Sequence, residues 1–136
     1  MRLMVIDTAL GACTAAVFED DQPLAVRQEA MSKGHQERLG GLARDAMAAS
    51  GLTFGDLDRI GVTVGPGSFT GLRVGLAFAL GLGAALDRPV VGVSALAALA
   101  ADGGSGLVLA AIDARRGQVY ARLFRDGRPL DEARGL

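Results

Sequence analysis

The feature that most constrains the fold is a glycine-rich block, Gly65 to Gly75, which joins two apolar segments. The segment before it, Ile60 to Val64, is a short β-compatible run, and the segment after it, Phe69 to Leu86, carries a single charge. A strand, a glycine turn and a helix start in this order are typical of phosphate-binding loops, because free N–H groups point outward from the first helical turn. The block therefore predicts alternating strands and helices, with an anion site at its turn.

The residues of the turn suit a phosphate, although they also suit a plain connection. Gly65 and Gly67 permit positive φ or a close approach of another group, and Ser68 is a natural helix N-cap. No Gly-Lys-Ser or Gly-Lys-Thr follows, so the block is not a Walker loop. A tight strand-to-helix turn without a ligand needs the same glycine and serine residues, so both interpretations stay open.

The candidate strands and helices occur in an order that defines the fold class. Hydrophobic spacing predicts three strands, a helix, a strand, a helix, a strand and a short helix. These segments are residues 3–6, 14–18, 23–28, 35–50, 60–64, 69–86, 89–93 and 94–101. The order predicts an α/β chain with a ribonuclease H-like lobe, as in actin-like ATPases: a mixed five-stranded sheet with flanking helices.

A second lobe begins near the end of the chain. We expect residues 1–101 to form the first lobe, and residues 102–136 to supply a linker and the truncated beginning of a second lobe. Two more strands are predicted at Leu107–Ile112 and Val119–Phe124, and Asp126 begins a hairpin turn. This incomplete second lobe fits either a shortened form or a piece of a longer protein.

Composition and charge exclude several classes of function. The 136 residues carry a formal net charge of −1 with both signs mixed, which argues against nucleic acid or a membrane surface as a direct, charge-driven partner. One cysteine and one histidine exclude an intrachain disulfide and a zinc site, and we expect Cys13 to be a small buried residue. Asp7 interrupts the first apolar run too early for a signal peptide, and glycines make residues 69–86 weakly hydrophobic for a membrane span. A cytoplasmic, metal-free protein is predicted.

The long helix after the glycine turn carries small residues at every fourth position. Gly71, Gly75, Ala79 and Gly83 fall on one face, and larger apolar residues cover the other sides, so the helix is apolar all round. We expect the small-residue face to admit a partner helix, because the lobe's own sheet cannot cover every side. A helix buried within a two-lobed protein has the same pattern, so both interpretations stay open.

Five ordered segments resemble the TsaB family of bacterial tRNA threonylcarbamoyladenosine biosynthesis proteins, a glycoprotease-like family of the actin-like ATPase superfamily. The segment GPGSFTGLRVG is the most specific of them. The five segments span nearly the whole chain: Val5–Thr8, His35–Leu39, Gly65–Gly75, Ser94–Leu99 and Ala111–Ala121. The resemblance implies a role in tRNA modification.

The resemblance implies an accessory subunit and not an enzyme. TsaB-like proteins pair with the homologous catalytic subunit TsaD and with the ATPase TsaE in attaching a threonylcarbamoyl group to adenosine 37 of tRNA. The paired-histidine metal motif of the catalytic relative has no counterpart here, where His35 is the single histidine. We expect no cofactor, with ATP at most in the assembled complex, and tRNA contact only through that complex. A free apolar helix face predicts a homodimer when the chain is alone.

The resemblance also implies where the partner binds. In the family the first two helices of the lobe form the dimer contact, and they correspond here to His35–Ser50 and Phe69–Leu86. The chain departs from the family at Gly40 and Gly41, which replace bulkier residues. The predicted partner interface comprises His35, Leu39, Leu42, Ala46, Gly71, Leu72, Gly75, Ala79 and Gly83.

A nucleotide-dependent enzyme is the rival prediction. Actin-like ATPases place an acidic residue at the end of the first strand, where it helps hold a nucleotide-bound metal ion through water, and Asp7 and Thr8 occupy that place. The same two residues are as often a turn cap. An actin-like ATPase or phosphotransferase is therefore the alternative function, whereas a glycoprotease-like peptidase lacks a nucleophile with its base. The predicted contacts to an anion or nucleotide are Asp7, Thr8, Gly65, Gly67 and Ser68.

Overall fold

Three antiparallel strands open the chain, because short runs of β-branched and apolar residues alternate with turn residues. They are β1 (Arg2–Asp7), β2 (Ala12–Glu19) and β3 (Gln22–Ala30). The tight turn between β2 and β3 places Asp20 at a φ of 53°, a conformation that aspartate tolerates better than most residues. The structure, a computed structural model, describes residues 1–30, 35–67, 69–102, 106–115, 118–126, 128–130 and 134–135.

Two helical crossovers add parallel strands to this meander. Helix α1 (His35–Ser50) leads to β4 (Arg59–Gly65), and α2 (Phe69–Leu86) leads to β5 (Val90–Ser94). Strand β4 pairs with β1 and β5 pairs with β4, both in parallel, which gives the order β3-β2-β1-β4-β5. Helix α3 (Ala95–Asp102) follows directly. The predicted mixed five-stranded sheet with flanking helices is confirmed.

The main core lies between α1, α2 and one face of the first sheet, called the front face here. Alternate residues of each strand point to this face, so one set of side chains is buried while its neighbours point the other way. The buried cluster consists of Met4, Ile6, Cys13, Ala15, Val17, Leu39, Leu42, Ala43, Ala46, Met47, Leu57, Ile60, Val62 and Ala79. Leu39, Leu42 and Ala46, predicted as interface residues, therefore belong to the core of the chain itself.

The small-residue face of α2 packs on the sheet, and the prediction that it meets a partner is wrong. Gly71, Gly75, Ala79 and Gly83 are all buried. A Cβ atom at Gly75 would overlap the hydroxyl of Thr8, and one at Gly83 would lie 3.0 Å from the Arg88 carbonyl oxygen. The close approach inferred from the spacing is real, but the neighbour is the lobe's own sheet.

A second, smaller sheet follows α3. It contains β6 (Leu107–Arg115), β7 (Gln118–Arg125), β8 (Arg128–Pro129) and β9 (Arg134–Gly135), with β7 pairing with the other three. Phe124 packs with Ala9, Ala95 and Leu96, and this contact joins the second sheet to the first. The strands predicted near Leu107 and Val119 are confirmed and run longer than expected, whereas residues 103–105 of the predicted linker lie outside the described residues.

The single thiol lies in the main core. Cys13 is fully buried in β2, as predicted, and burial raises the pKa of its thiol. Among the described residues, none of the helices combines the length and hydropathy that crossing a bilayer requires.

We predict that Gly75→Ala lowers the free energy of unfolding by about 1 to 3 kcal/mol, because the added methyl group has no room beside Thr8. Gly81→Ala is the matched control on the same helix. A Cβ atom there meets nothing within 4 Å, so the higher helix propensity of alanine should raise stability by up to about 1 kcal/mol. Urea unfolding of both variants measures the difference, and equal stabilities would contradict the packing described here.

We also predict that Cys13 of the folded chain resists alkylation by iodoacetamide at pH 8, because a buried thiol with a raised pKa stays neutral and inaccessible. Mass spectrometry after a timed reaction measures the modified fraction. The same reaction in urea is the control and should go to completion. Rapid modification of chain shown by circular dichroism to be folded would contradict the prediction.

Candidate functional site

A polar cluster lies at the carboxyl ends of β1 and β4. The parallel register of these strands brings Thr63 beside Asp7, and the Thr63 hydroxyl donates to Asp7 Oδ1 at 2.9 Å. The backbone N–H of Ala9 donates to the same oxygen at 3.1 Å. No hydrogen bond to Asp7 Oδ2 is found among the described residues, so the carboxylate is held firmly and retains one acceptor oxygen. The sequence analysis did not predict Thr63 as a site residue. The signal that could have identified it is a hydroxyl side chain within an otherwise apolar strand.

Thr8 has a packing role instead of the predicted ligand contact. Its side chain is fully buried, and its hydroxyl donates to the carbonyl oxygen of Gly71 at 2.5 Å. This bond fixes the first turn of α2 to the end of β1. The prediction that Thr8 contacts a nucleotide is therefore wrong, because the hydroxyl faces into the protein.

The glycine turn is shaped by contacts within the chain. Gly65 has a φ of 120°, which favours glycine. A Cβ atom at Gly67 would overlap the carbonyl group of Ala9, so this glycine lets the turn pack on the β1–β2 connection. Ser68 lies outside the described residues. Contact of Asp7, Gly65, Gly67 and Ser68 with an anion or nucleotide stays a prediction.

The described residues do not form a complete metal site. No group of three or more His, Cys, Asp or Glu side chains among them could hold an ion. Asp7 supplies a single carboxylate, and its Oδ1 already accepts two hydrogen bonds, one from the Thr63 hydroxyl and one from the Ala9 N–H. Such a group fits a contact through water to a cation held by another ligand, and it does not fit direct coordination by several protein groups.

The solvent side of α2 carries a stripe of apolar residues. Leu76 is 38% exposed and Leu80 is 53% exposed, and these two leucines lie one turn apart. Ala77 and Gly81, one position further along, are also exposed. Because the small residues occupy the buried side of α2, two of its larger apolar residues, Leu76 and Leu80, are left at the surface.

A groove between α1 and α2 adjoins this stripe. Its volume is about 580 Å³, and it is lined by Leu39, Thr70, Arg73, Val74, Ala77 and Phe78. The exposed leucines and the groove together are called the α2 surface here. Of the predicted interface residues, Leu39 lines the groove and Leu72 packs against the cluster around Phe124. The side chain of His35 is not among those described.

An ion pair fixes the start of α1 to the edge of the sheet. Arg38 Nε donates to Glu29 Oε2 at 2.7 Å, and the Glu29 carboxylate raises the pKa of the Arg38 guanidinium. Both side chains are exposed, so the pair orients the helix more than it stabilises the fold.

Comparison with known proteins identifies the family. The family model described as TsaD, tRNA N6-adenosine threonylcarbamoyltransferase, matches residues 26–135. A Pseudomonas aeruginosa structure named YeaZ superposes with a TM-score of 0.88 at 34% identity, and the match covers 99% of this chain and 67% of that one. The chain therefore belongs to the threonylcarbamoyltransferase family that this model defines.

Curated relatives place the chain more narrowly. It is 39% identical over 124 residues to the Escherichia coli TsaB protein and 35% identical over 127 residues to that of Bacillus subtilis. These matches cover 88% and 92% of this chain but 53% and 56% of the relatives, so the chain spans about half their length. Within the family it belongs to the TsaB group, which confirms the resemblance inferred from the sequence.

More distant structures share the fold alone. A Thermus thermophilus ROK hexokinase matches with a TM-score of 0.55 at 22% identity, and the match covers 97% of this chain and 48% of that one. The ethanolamine utilization protein EutJ of Carboxydothermus hydrogenoformans matches with a TM-score of 0.59 at 16% identity, covering 100% of this chain and 52% of that one. These matches agree with the actin-like architecture predicted from the element order.

We predict that Thr63→Val lowers the free energy of unfolding by about 1 to 3 kcal/mol, because the Asp7 carboxylate loses a hydroxyl donor inside the fold. Thr63→Ser keeps the hydroxyl and should lose less than half as much. Urea denaturation of the two variants beside the parent chain measures the difference. If serine and valine were equally destabilising, the hydrogen bond would not be what holds Asp7.

Proposed function

We propose that the chain is a non-catalytic scaffold or activator subunit for threonylcarbamoyl transfer to adenosine 37 of tRNA, and that it docks onto the catalytic subunit TsaD through the α2 surface. The observation that carries this proposal is the exposed apolar stripe of α2, with Leu76 and Leu80 at its centre. Membership of the TsaB group supports the pathway, since the E. coli and B. subtilis relatives are named for threonylcarbamoyladenosine biosynthesis.

The energetics of the α2 surface favour a protein partner. Full burial of an exposed leucine contributes about 1.5 to 3 kcal/mol, so covering the exposed parts of Leu76 and Leu80 gains roughly 1 kcal/mol each. The adjoining groove allows side chains of a partner helix to interdigitate, as at other helix pairs. TsaD is homologous to this chain and can present a similar helix pair. In its absence a second copy of this chain fits the same surface, and TsaE joins the assembled complex.

The non-catalytic role is supported by how the chain's own reactive groups are used. The hydroxyl groups of Thr8 and Thr63 both donate hydrogen bonds within the fold, and the thiol of Cys13 is buried in the core. Of the three, Thr63 has a carboxylate beside it, that of Asp7, but Thr63 is only 4% exposed, so its hydroxyl is poorly placed to reach a substrate.

We predict that Leu76→Asp and Leu80→Asp each weaken capture of the chain by the cognate TsaD about tenfold or more, because docking would bury an unpaired carboxylate. Affinity-tagged TsaD, immobilised and titrated with each variant, gives the dissociation constants. Val26→Asp is the matched control: Val26 is 48% exposed, but it lies on edge strand β3 and points away from α1 and α2.

Two outcomes would contradict docking through the α2 surface. One is unchanged capture of both leucine variants. The other is equal loss with Val26→Asp, which would indicate a general effect of the added charge. Circular dichroism of each variant shows whether it remains folded.

The geometry of Asp7 keeps an actin-like ATPase or phosphotransferase as the second candidate. Its carboxylate is fixed at the carboxyl ends of two parallel strands, where ligands of open α/β sheets commonly bind, and one of its oxygens accepts no bond from the described residues. Calorimetry with Mg-ATP separates the two candidates. Specific binding that Asp7→Asn abolishes would favour the nucleotide-dependent enzyme, and absence of binding would favour the scaffold.

A further inference from the structure

The groove between α1 and α2 changes from polar to apolar along α2. Among its described lining residues, Thr70 and Arg73 have the polar side chains, and both lie in the first two turns of the helix. They are three residues apart, so they are neighbours on the helix surface, and both are exposed. The other lining residues are Leu39, Val74, Ala77 and Phe78. An occupant of the groove therefore meets hydrogen-bond donors at one end and hydrocarbon beyond it.

Arg73 also begins the exposed apolar stripe of α2. Leu76 lies three residues after it and Leu80 seven residues after it, so the three side chains follow one side of the helix. Arg73 is the single charged residue between Phe69 and Leu86. A partner helix laid along the two leucines would therefore pass over this charge as well.

A guanidinium at the margin of an apolar surface needs an anionic neighbour once that surface is covered. Covering it with apolar groups alone would remove water from the charge without replacing it, which is strongly unfavourable. The Arg73 guanidinium presents a planar fork of N–H donors, more than a single contact within the chain uses, and a carboxylate can accept two of them side by side. A segment that covers the stripe is therefore favoured if it carries a carboxylate at this position.

We propose that TsaD contributes an acidic side chain that pairs with Arg73, next to apolar side chains that cover Leu76 and Leu80. This inference rests on the proposed docking of TsaD through the α2 surface, and it adds the chemistry and the direction of the docked segment. The acidic residue lies toward the amino-terminal end of α2, where the Thr70 hydroxyl can donate to the same carboxylate. A free anion such as phosphate would satisfy Arg73 but would leave both leucines exposed, whereas an acidic, apolar protein segment covers all three.

The role of Arg73 is that of a specificity residue. Apolar surfaces without a matching acidic residue are rejected, because they would leave the guanidinium covered and without a counter-ion. The leucines supply apolar contact that many proteins could share, and Arg73 restricts which of them can dock.

The proposal is tested by titrating immobilised cognate TsaD with Arg73 variants of the present chain. Arg73→Glu should weaken capture about tenfold or more, because two carboxylates would face each other. Arg73→Gln removes the charge, keeps a hydrogen-bonding side chain, and should weaken capture severalfold. Arg59→Glu is the matched control: it makes the same change of charge at an exposed arginine at the start of β4, the opposite end of that strand from the glycine turn. It should bind like the parent chain.

The salt dependence of capture separates ion pairing from a structural effect of the substitution. The dissociation constant of the parent chain should rise more steeply with sodium chloride concentration than that of Arg73→Gln, because salt screens an ion pair more than a neutral contact. Circular dichroism of each variant checks the fold, which we expect to be unchanged because Arg73 is exposed. Equal salt dependence of the parent and Arg73→Gln would contradict an ion pair at this residue.

The outcomes distinguish this proposal from the docking on which it rests. If TsaD captures the parent chain, Leu76→Asp and Leu80→Asp weaken capture, and both Arg73 variants bind like the parent, docking stands and the acidic partner residue is overturned. Equal loss with Arg59→Glu and Arg73→Glu would also overturn it, since the effect would then come from net charge. If TsaD does not capture the parent chain at all, both proposals fail.

Discussion

The fold depends on the close contact between α2 and the end of β1. Gly75 lies directly against Thr8, whose hydroxyl holds the carbonyl of Gly71, so the helix sits lower on the sheet than any side chain at position 75 would permit. Only the small residues of α2 can pack this closely, so they must face the sheet, and this requirement fixes the rotation of α2 about its axis. Small residues face the strands, and Leu76 and Leu80 face outward. Next to this contact the glycine turn lies against Ala9, and the parallel register of β1 and β4 places Asp7 beside Thr63.

Element order, fold class and the glycine turn could be predicted because each leaves a local pattern in the sequence. The rotation of α2 could not be predicted, because a helix that is apolar all round has no polar side to mark its solvent face. Glycines at every fourth position indicate a close neighbour without saying whether that neighbour is a helix or a sheet. The same ambiguity affected Leu39, Leu42 and Ala46, since residues that pack on a sheet and residues that pack on a partner share one spacing.

The candidate site was predictable only in part. Asp7 was found from its place at the end of a strand, but its partner Thr63 is fixed by the register between two strands that are far apart in the sequence. A single sequence contains no local signal of that register. Gly67 was interpreted as space for a ligand, whereas its lack of a side chain is required by the backbone of Ala9. A glycine that admits a close neighbour looks the same whichever neighbour it admits.

The edge strand β3 also restricts how molecules of this protein can associate. It contains Pro23, which lacks a backbone donor, and its residues Arg27 and Glu29 are charged, with Glu29 tied to Arg38 on α1. Features of this kind discourage a foreign strand from extending a sheet. Growth of the sheet into strand-paired polymers is therefore disfavoured at this edge, whereas α2 offers exposed apolar side chains. At the β3 edge, association through side chains, which is reversible and selective, is therefore favoured over strand pairing.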